Sequence, residues 1–282
     1  MLRAPNHLGD GVMALPVAQA LSRAVASKGE LVILGPRWAP ELYQGLNASF
    51  LPPDAQPQAG MAVILPPSFS SAWRLRHIPL RFGVSGQGRR LLLSACHDPI
   101  PGEHRTQTYA SVAALAQIQV SGPPRLDWRL PEGRLPLGHL AIAPFSPTGA
   151  PVMWQGFEAL GLQNPAPVVV YLGPGETWAP QPEWPRVQKR SLVAVASEIR
   201  RAQALVVNDS GYSHFARAFG VPTIVVHGST VPQKTGAIGS VPVLGRDRPP
   251  CAPCYAKLCE VPGVPCLDIS VEQVQDALMA VK

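Results

Sequence analysis

No apolar run in this sequence reaches the roughly 18 residues that a bilayer-spanning helix needs, so no membrane span is expected. The opening MLRAPNHLGD has no apolar core segment, so no secretory leader is expected and a cytoplasmic site follows by default. Lys and Arg never run five together, and no stripe of aromatic and basic residues of the kind that grips single strands is present. A nucleic-acid partner is therefore not expected. Charge is sparse, at 15% of residues, and only five cysteines occur. What is plentiful is apolar residues, at 46%, and proline, at 33 residues; the prolines sit mostly in connections, where they stiffen loops. A chain of 282 residues with this interior can build two modest domains, each with its own core. The net charge of +6 favours anionic partners such as nucleotide sugars, phosphorylated glycolipids, a membrane surface or nucleic acid, unless it is a mild excess without a specific partner.

The most informative stretch is Ala204 to Thr235, which reads strand, turn, helix, strand, loop. Ala204–Asn208 and Pro222–His227 are short apolar runs suited to strands buried on both faces. Between them Asp209-Ser210-Gly211 reads as a turn and N-cap, and Tyr212–Phe219 as a helix ended by Gly220. A helix N-terminus beyond a parallel strand suits an anion, because its free N–H groups and dipole point there. Ser210, Gly211 and His214 are so placed. The competing reading is an ordinary βαβ connection in which Asp209 only caps.

Upstream, Leu2–Ala4, Leu31–Leu34 and Met61–Leu65 read as strands, with an amphipathic helix over Gly11–Ala26 that Pro16 should kink. That order implies a parallel sheet. Arg81–Val84 reads as an edge strand, and a helix from His104 to Gln117 closes a first domain of residues 1–125. Ser121–Leu137, rich in Pro, Gly and charge, is the expected linker to a second domain of residues 138–282. Its strands are expected at Leu140–Ala143 and Val168–Leu172, and a terminal helix at Val271–Val281. Cys251, Cys254, Cys259 and Cys266 form C-x2-C-x4-C-x6-C. Such a set admits one structural Zn²⁺, unpaired thiols, or two disulfides, the last disfavoured in the cytosol.

Asp209-Ser210-Gly211, His214, Ala216, Ala218, Gly220 and Pro222, followed by Gly228, Thr230 and Pro232, resemble the C-terminal motif of glycosyltransferase family 9, the ADP-heptose:lipopolysaccharide heptosyltransferases. RAPNHLGDGVMALPVAQAL is similar to that family's N-terminal signature, and FSSAWRLRHIPLRFGVSGQGRRLLLS to the acceptor-side segment of its heptosyltransferase II branch, which also carries a similar cysteine cluster. The resemblance implies an α/β fold of the GT-B type, with two Rossmann-like doubly wound lobes and a cleft between them. It implies an inverting, metal-independent sugar transferase with no catalytic cofactor. The donor is a nucleotide-diphosphate sugar, an ADP-sugar being favoured. The acceptor is a glycolipid or polysaccharide, and peripheral contact with the inner membrane surface is implied. Asp10 matches the family's proposed general base; read without the resemblance, it is a carboxylate stabilised by a helix dipole. Glu176 matches the acid associated with the ribose, a role that suits a carboxylate accepting two hydrogen bonds. Asp209, Ser210, Gly211, His214 and Thr230 fall to the donor. Arg81, Arg89 and Arg90 fall to an acidic acceptor, or else form a solvated basic turn. One position departs from the pattern: two residues before Trp154 the family usually has Lys, and here stands Val152. Losing such a charge costs roughly 2–4 kcal/mol of transition-state stabilisation unless another group, Thr148 or Lys234, replaces it. Two alternatives follow: a nucleotide-sugar-binding relative without turnover, and a zinc-module nucleic-acid binder.

Overall fold

The computed structural model describes all residues except 28, 146–152, 181–182, 189, 257–258 and 282. The chain divides into two units, Met1–Pro124 and Arg125–Lys282. In the first, strands β1 (Leu2–Arg3), β2 (Leu31–Leu34), β3 (Ala48–Leu51), β4 (Met61–Ile64), β5 (Leu80–Val84) and β6 (Ala95–His97) form one sheet in the order β3-β2-β1-β4-β5-β6. Every pairing is parallel. Helices α1 (Leu8–Met13), α2 (Leu15–Val25), α3 (Ala39–Leu42) and α4 (Phe69–Arg74) lie between its strands, and α5 (Arg105–Leu115) follows the last of them.

The helix expected over 11–26 is in fact two. Pro16 has no N–H to return to Val12, so the chain breaks at Ala14, whose N–H bonds Asp10 O at 2.9 Å, and restarts with Pro16 in the first turn of α2. α4 begins at Phe69 because Ser68 caps it, accepting from Ser71 N–H at 3.3 Å. β5 is not an edge strand; β6 pairs outside it, with Gly83 opposite Cys96.

The second unit repeats the plan. Strands β7 (His139–Ala143), β8 (Val168–Tyr171), β9 (Arg186–Val187), β10 (Ala202–Asn208), β11 (Thr223–His227) and β12 (Val241–Leu244) run parallel in the order β12-β11-β10-β7-β8-β9. Read from β9, this is the strand order of the first unit. Each sheet therefore has the doubly wound Rossmann order, and each reverses direction between its first and fourth strands. The two Rossmann-like units expected from the sequence are the ones observed. Helices α6 (Phe157–Gln163), α7 (Leu192–Ile199), α8 (Gly211–Ala218), α9 (Pro232–Thr235) and α10 (Val271–Met279) complete the unit.

Part of the expected linker belongs to the second unit's packing. Trp128 is buried with its ring edge on Phe215 and Phe219, at 5.9 and 5.2 Å between centroids. The Glu198 carboxylate accepts from Arg134 and Leu135 N–H at 3.0–3.1 Å. Leu140, Ile142, Val206, Ile224 and Val226 of the sheet pack with Trp154, Phe157, Leu160, Val274 and Leu278. Trp154 also donates its ring N–H to Ile269 O at 2.8 Å, tying α6's approach to the α10 side. Phe157, 1% exposed, packs edge-on against Trp154 at 5.0 Å. Phe157→Ala removes this contact and leaves a cavity, so urea denaturation should show a loss of about 3–5 kcal/mol.

Candidate functional site

In a doubly wound sheet the crevice opens beyond the carboxyl ends of the strands where their order reverses. In the second unit that point lies between β7 and β10. Asn208 latches the two strand ends, donating its side-chain N–H to Pro144 O at 2.7 Å and accepting from Trp154 N–H at 3.4 Å. The chain then turns through Asp209 and Ser210 into α8. The competing reading, in which Asp209 only caps this helix, does not hold. The N-cap is Ser210, in extended backbone, and no side chain caps α8. Ser210 O accepts from both the N–H and the hydroxyl of Ser213, at 3.1 and 2.7 Å, while Ser210 Oγ is buried with no hydrogen-bond partner.

Asp209 is drawn instead to the turn after β11, because its buried carboxylate needs a donor. It accepts from the Thr230 hydroxyl. Burial pushes its pKa up, against the Thr230 bond and the nearby His214. His227 Nδ1 lies 3.7 Å from Asp209 Oδ2 and 3.1 Å from Thr230 Oγ1. His227 is fully buried; burial first, and the Arg248 charge second, push its pKa down to about 4, so it is neutral at pH 7. Its Nε2 is buried without a partner. Arg248 donates one nitrogen to Gly228 O at 2.6 Å and Thr230 O at 3.1 Å. Asp209, His214 and Thr230 are thus brought together, with Ser210 and Gly211 at the adjoining helix start. His227 and Arg248 were not anticipated from the sequence: the first reads as a strand's last residue, and the second lies in no motif.

Glu176 lies beside α8's first turn. The turn from Gly173 to Glu176 closes with Glu176 N–H on Gly173 O at 3.2 Å, and the Glu176 carboxylate accepts from Gly173 N–H. Gly175 sits at φ +82°, where a side chain would be strained. Burial raises the Glu176 pKa. Burial, with the Glu176 charge second, raises that of Tyr212, whose hydroxyl donates to Leu172 O at 3.1 Å.

In the first unit Asp10 occupies the first turn of α1, just beyond β1 at that sheet's own reversal point. Its Oδ1 lies 3.7 Å from Arg105 Nη1 on α5. Two buried tyrosines surround this end of α1. Tyr43 donates to Gly11 O at 3.0 Å, and Tyr109 is held protonated well above its ordinary range by burial and by the Asp10 charge.

The three acceptor-side arginines do not stand alike. Arg81 gives its guanidinium to Leu92 O at 2.6 Å and to Ile78 O and Pro79 O. Arg89 is 5% exposed and donates to Val84 O at 2.9 Å, Pro67 O at 2.8 Å and Ser85 O. Neither is a solvated cation: loop carbonyls left over at the ends of β4 and β5 take their donors. Arg90 is exposed and paired with Asp98. Of the groups weighed as replacements for a lysine at Val152, Thr148 and position 152 itself lie outside the described residues. Lys234 holds its ammonium 5.4 Å over the Tyr255 ring.

All five cysteines are free thiols. Cys251, Cys254, Cys259 and Cys266 line one cavity of about 20 Å³ together with Ser229 and Pro249. Among the described residues no three His, Cys, Asp or Glu side chains are placed to hold a metal ion. The donor set for a structural Zn²⁺ is present, but its sulfurs are not assembled around one point. Burial raises the Cys266 thiol pKa, whereas Cys251 and Cys254 are exposed. An aromatic disulfide reagent should therefore label Cys251 and Cys254 first and Cys266 last, read by peptide mass mapping over time.

The buried His227 supplies a pH dependence. Its ordinary pKa is 6.5 and its folded value is about 4, so between those limits the unfolded chain binds more protons. Stability should fall as pH drops through that window, by up to about 3 kcal/mol from this residue. Urea denaturation at about pH 7 and about pH 4.5 should show a shallower loss for His227→Gln than for the parent.

Residues 187–264 match the model of glycosyltransferase family 9 (heptosyltransferase). Lipopolysaccharide heptosyltransferase 1 of Pseudomonas aeruginosa is 46% identical over 70 residues, 24% of this chain and 19% of that protein. The matched stretch thus spans less than a fifth of that relative's length. Over the whole chain the fold is similar to E. coli ADP-heptose LPS heptosyltransferase II, with TM-score 0.72 and 19% identity, covering 99% of this chain and 97% of that one. It is similar to E. coli heptosyltransferase WaaC, solved with ADP, with TM-score 0.71 and 16% identity, covering 100% and 98%. The resemblance read from the C-terminal motif is borne out over residues 187–264, which match the model of glycosyltransferase family 9, and the whole chain has a fold similar to that of solved heptosyltransferases.

Proposed function

We infer that this chain transfers a sugar, a heptose or a close relative, from a nucleoside-diphosphate sugar to a glycolipid or polysaccharide acceptor, with inversion at the anomeric carbon. The observation that carries the reading is the start of α8. Its first turn is uncapped, a buried Ser210 hydroxyl there has no partner, and the turn stands at the strand-order reversal of its sheet. An anionic diphosphate satisfies both the free helix end and that hydroxyl. The family match over 187–264 covers this turn, and the structurally similar WaaC was solved with ADP, so an ADP-sugar is the favoured donor.

In this reading Ser210, Gly211, His214 and Thr230 hold the diphosphate, Asp209 orients the Thr230 hydroxyl, and Glu176 takes the ribose. The acceptor hydroxyl attacks the anomeric carbon as the bond from that carbon to the diphosphate oxygen breaks. The nucleoside diphosphate leaves with the electron pair, and the hydroxyl proton passes to the Asp10 carboxylate. The helix dipole and amide donors of α8 stabilise the charge on the leaving group. Arg90, with its guanidinium exposed, is the remaining acceptor-side cation. Phe69 and Trp73 stack in the open at 6.0 Å, and Arg76 lies 4.3 Å over the Trp73 ring. That aromatic and basic face fits a glycolipid presented at the inner surface of a membrane. Among the described residues no helix is long and apolar enough to cross one.

A second reading, a nucleotide-sugar binder without turnover, is favoured by one observation, Val152 where the family usually has Lys. One pair of measurements separates the two: calorimetric titration with ADP, and transfer from an ADP-sugar to a glycolipid. Asp10→Asn should lower transfer by about 10² or more while ADP binding stays at the parental level. Parental transfer by that variant would remove Asp10 from its role, and ADP binding without transfer by the parent would establish the binder.

A further inference from the structure

Three successive carbonyls after β11 are each held by a donor. Gly228 O and Thr230 O accept from Arg248 at 2.6 and 3.1 Å, and between them Ser229 O accepts from Tyr255 N–H at 3.0 Å. All these donors come from one segment, residues 248–255, which follows β12. A trans peptide holds its C=O and N–H on opposite sides. Clamping the carbonyls of 228, 229 and 230 therefore turns the N–H groups of Ser229, Thr230 and Val231 away from the clamp. Successive amides turned to one side form a concavity for an anion. On the same loop the Thr230 hydroxyl is held by Asp209, at the turn that leads into α8.

The clamp is built into the interior. Arg248 Nε is buried, and the guanidinium lies close enough to the buried His227 to act on its charge state. At Gly228 an added Cβ would lie 2.9 Å from Leu267 and 3.3 Å from Cys266 Sγ, so the loop rests directly on the cysteine-bearing segment. Ser229 also lines the cavity of the four cysteines. Neither Arg248 nor Tyr255 is part of the family motif that runs through Gly228, Thr230 and Pro232.

We propose that Arg248 is a positioning residue for donor binding: by holding the Gly228 and Thr230 carbonyls it presents the amides of residues 229–231, and the Thr230 hydroxyl, to the donor diphosphate. It does not touch the sugar. Its fixed positive charge beneath the loop adds to the attraction for an anion, in a protein whose sequence has Val152 where the resemblance places a cation. The proposal rests on the donor reading of the α8 turn given above.

The test uses the full chain, with ADP as the probe in calorimetric titration and with transfer kinetics. Arg248→Gln should weaken ADP binding about ten-fold or more, the loss expected when charge-assisted hydrogen bonds go. It should raise KM for the donor while leaving KM for the acceptor unchanged. Arg248→Lys, which retains a charge and several donors, should recover most of that loss. A folded Arg248→Gln that binds ADP at the parental Kd overturns the clamp and leaves the donor reading standing. If the parent itself does not bind ADP, the donor reading fails and the clamp with it. Should Arg248→Gln not fold, Arg248→Lys decides alone: parental stability with ADP binding reduced less than ten-fold supports the clamp, and affinity lost as completely as without a cation overturns it. Amide hydrogen exchange gives an independent reading. The amides of 229–231 should exchange faster in Arg248→Gln than in the parent, and unchanged exchange there would sink the proposal.

Discussion

A carboxylate buried at the end of β10 must find a donor, and in this chain the donor comes from the next strand's turn. Asp209 reaches Thr230, which ties the β10–α8 turn to the loop after β11. That single requirement settles several other features. It takes Asp209 away from the helix it precedes, so α8 starts without a side-chain cap. It places the neutral His227 within 3.1 Å of Thr230, where burial and Arg248 keep it uncharged. It also aligns two polar turns side by side at the carboxyl edge of the sheet, where a doubly wound fold leaves its crevice.

Much of this could be read from the residues. The inner strands are mostly Val, Ile, Leu and Ala because both of their faces are covered, so β2, β4, β7, β8, β10 and β11 were legible. The outer strands were not. β3, β6 and β12 are only partly buried, and β9 has two residues, so none needs the apolar run that announces a strand. The break at Ala14 followed from Pro16, whose effect is local and steric. The position of Asp209 did not follow, because an aspartate before a helix reads as a cap. The rival donor sits about twenty residues further on, and only the sheet register brings it near. Arg248 was invisible for the same reason: its partners are main-chain carbonyls, which carry no sequence signal.

The arginines of the first unit show how burial reassigns a residue. A run such as Gly86–Arg90 reads as a solvated basic turn, since charged side chains are mostly exposed. Loops at the ends of parallel strands also carry carbonyls that the sheet does not use, and a buried carbonyl without a donor is costly. Arg89, with five N–H donors in a fixed fork, serves three such carbonyls at once, and that service keeps it inside. Arg81 does the same on the neighbouring loop. Of the three, only Arg90 leaves its guanidinium in solvent, where an ion pair with Asp98 contributes little and can be exchanged for another anion.

Stability is spent unevenly across the second unit. Apolar side chains fill the core around Trp154 and Phe157, and Asn208, Glu198 and Trp154 satisfy their neighbours. Among the described residues of this unit, the buried side-chain atoms without partners, Ser210 Oγ, His227 Nε2 and Arg248 Nε, all flank the turns at residues 209–211 and 228–230. A missing cap costs about 1 kcal/mol, and each buried unpaired polar atom about 1–3 kcal/mol. In the proposed reading that cost sits where a bound anion can remove it. In that reading an anion at the start of α8 would meet the uncapped first turn, the Ser210 hydroxyl and the Arg248 charge behind the neighbouring loop.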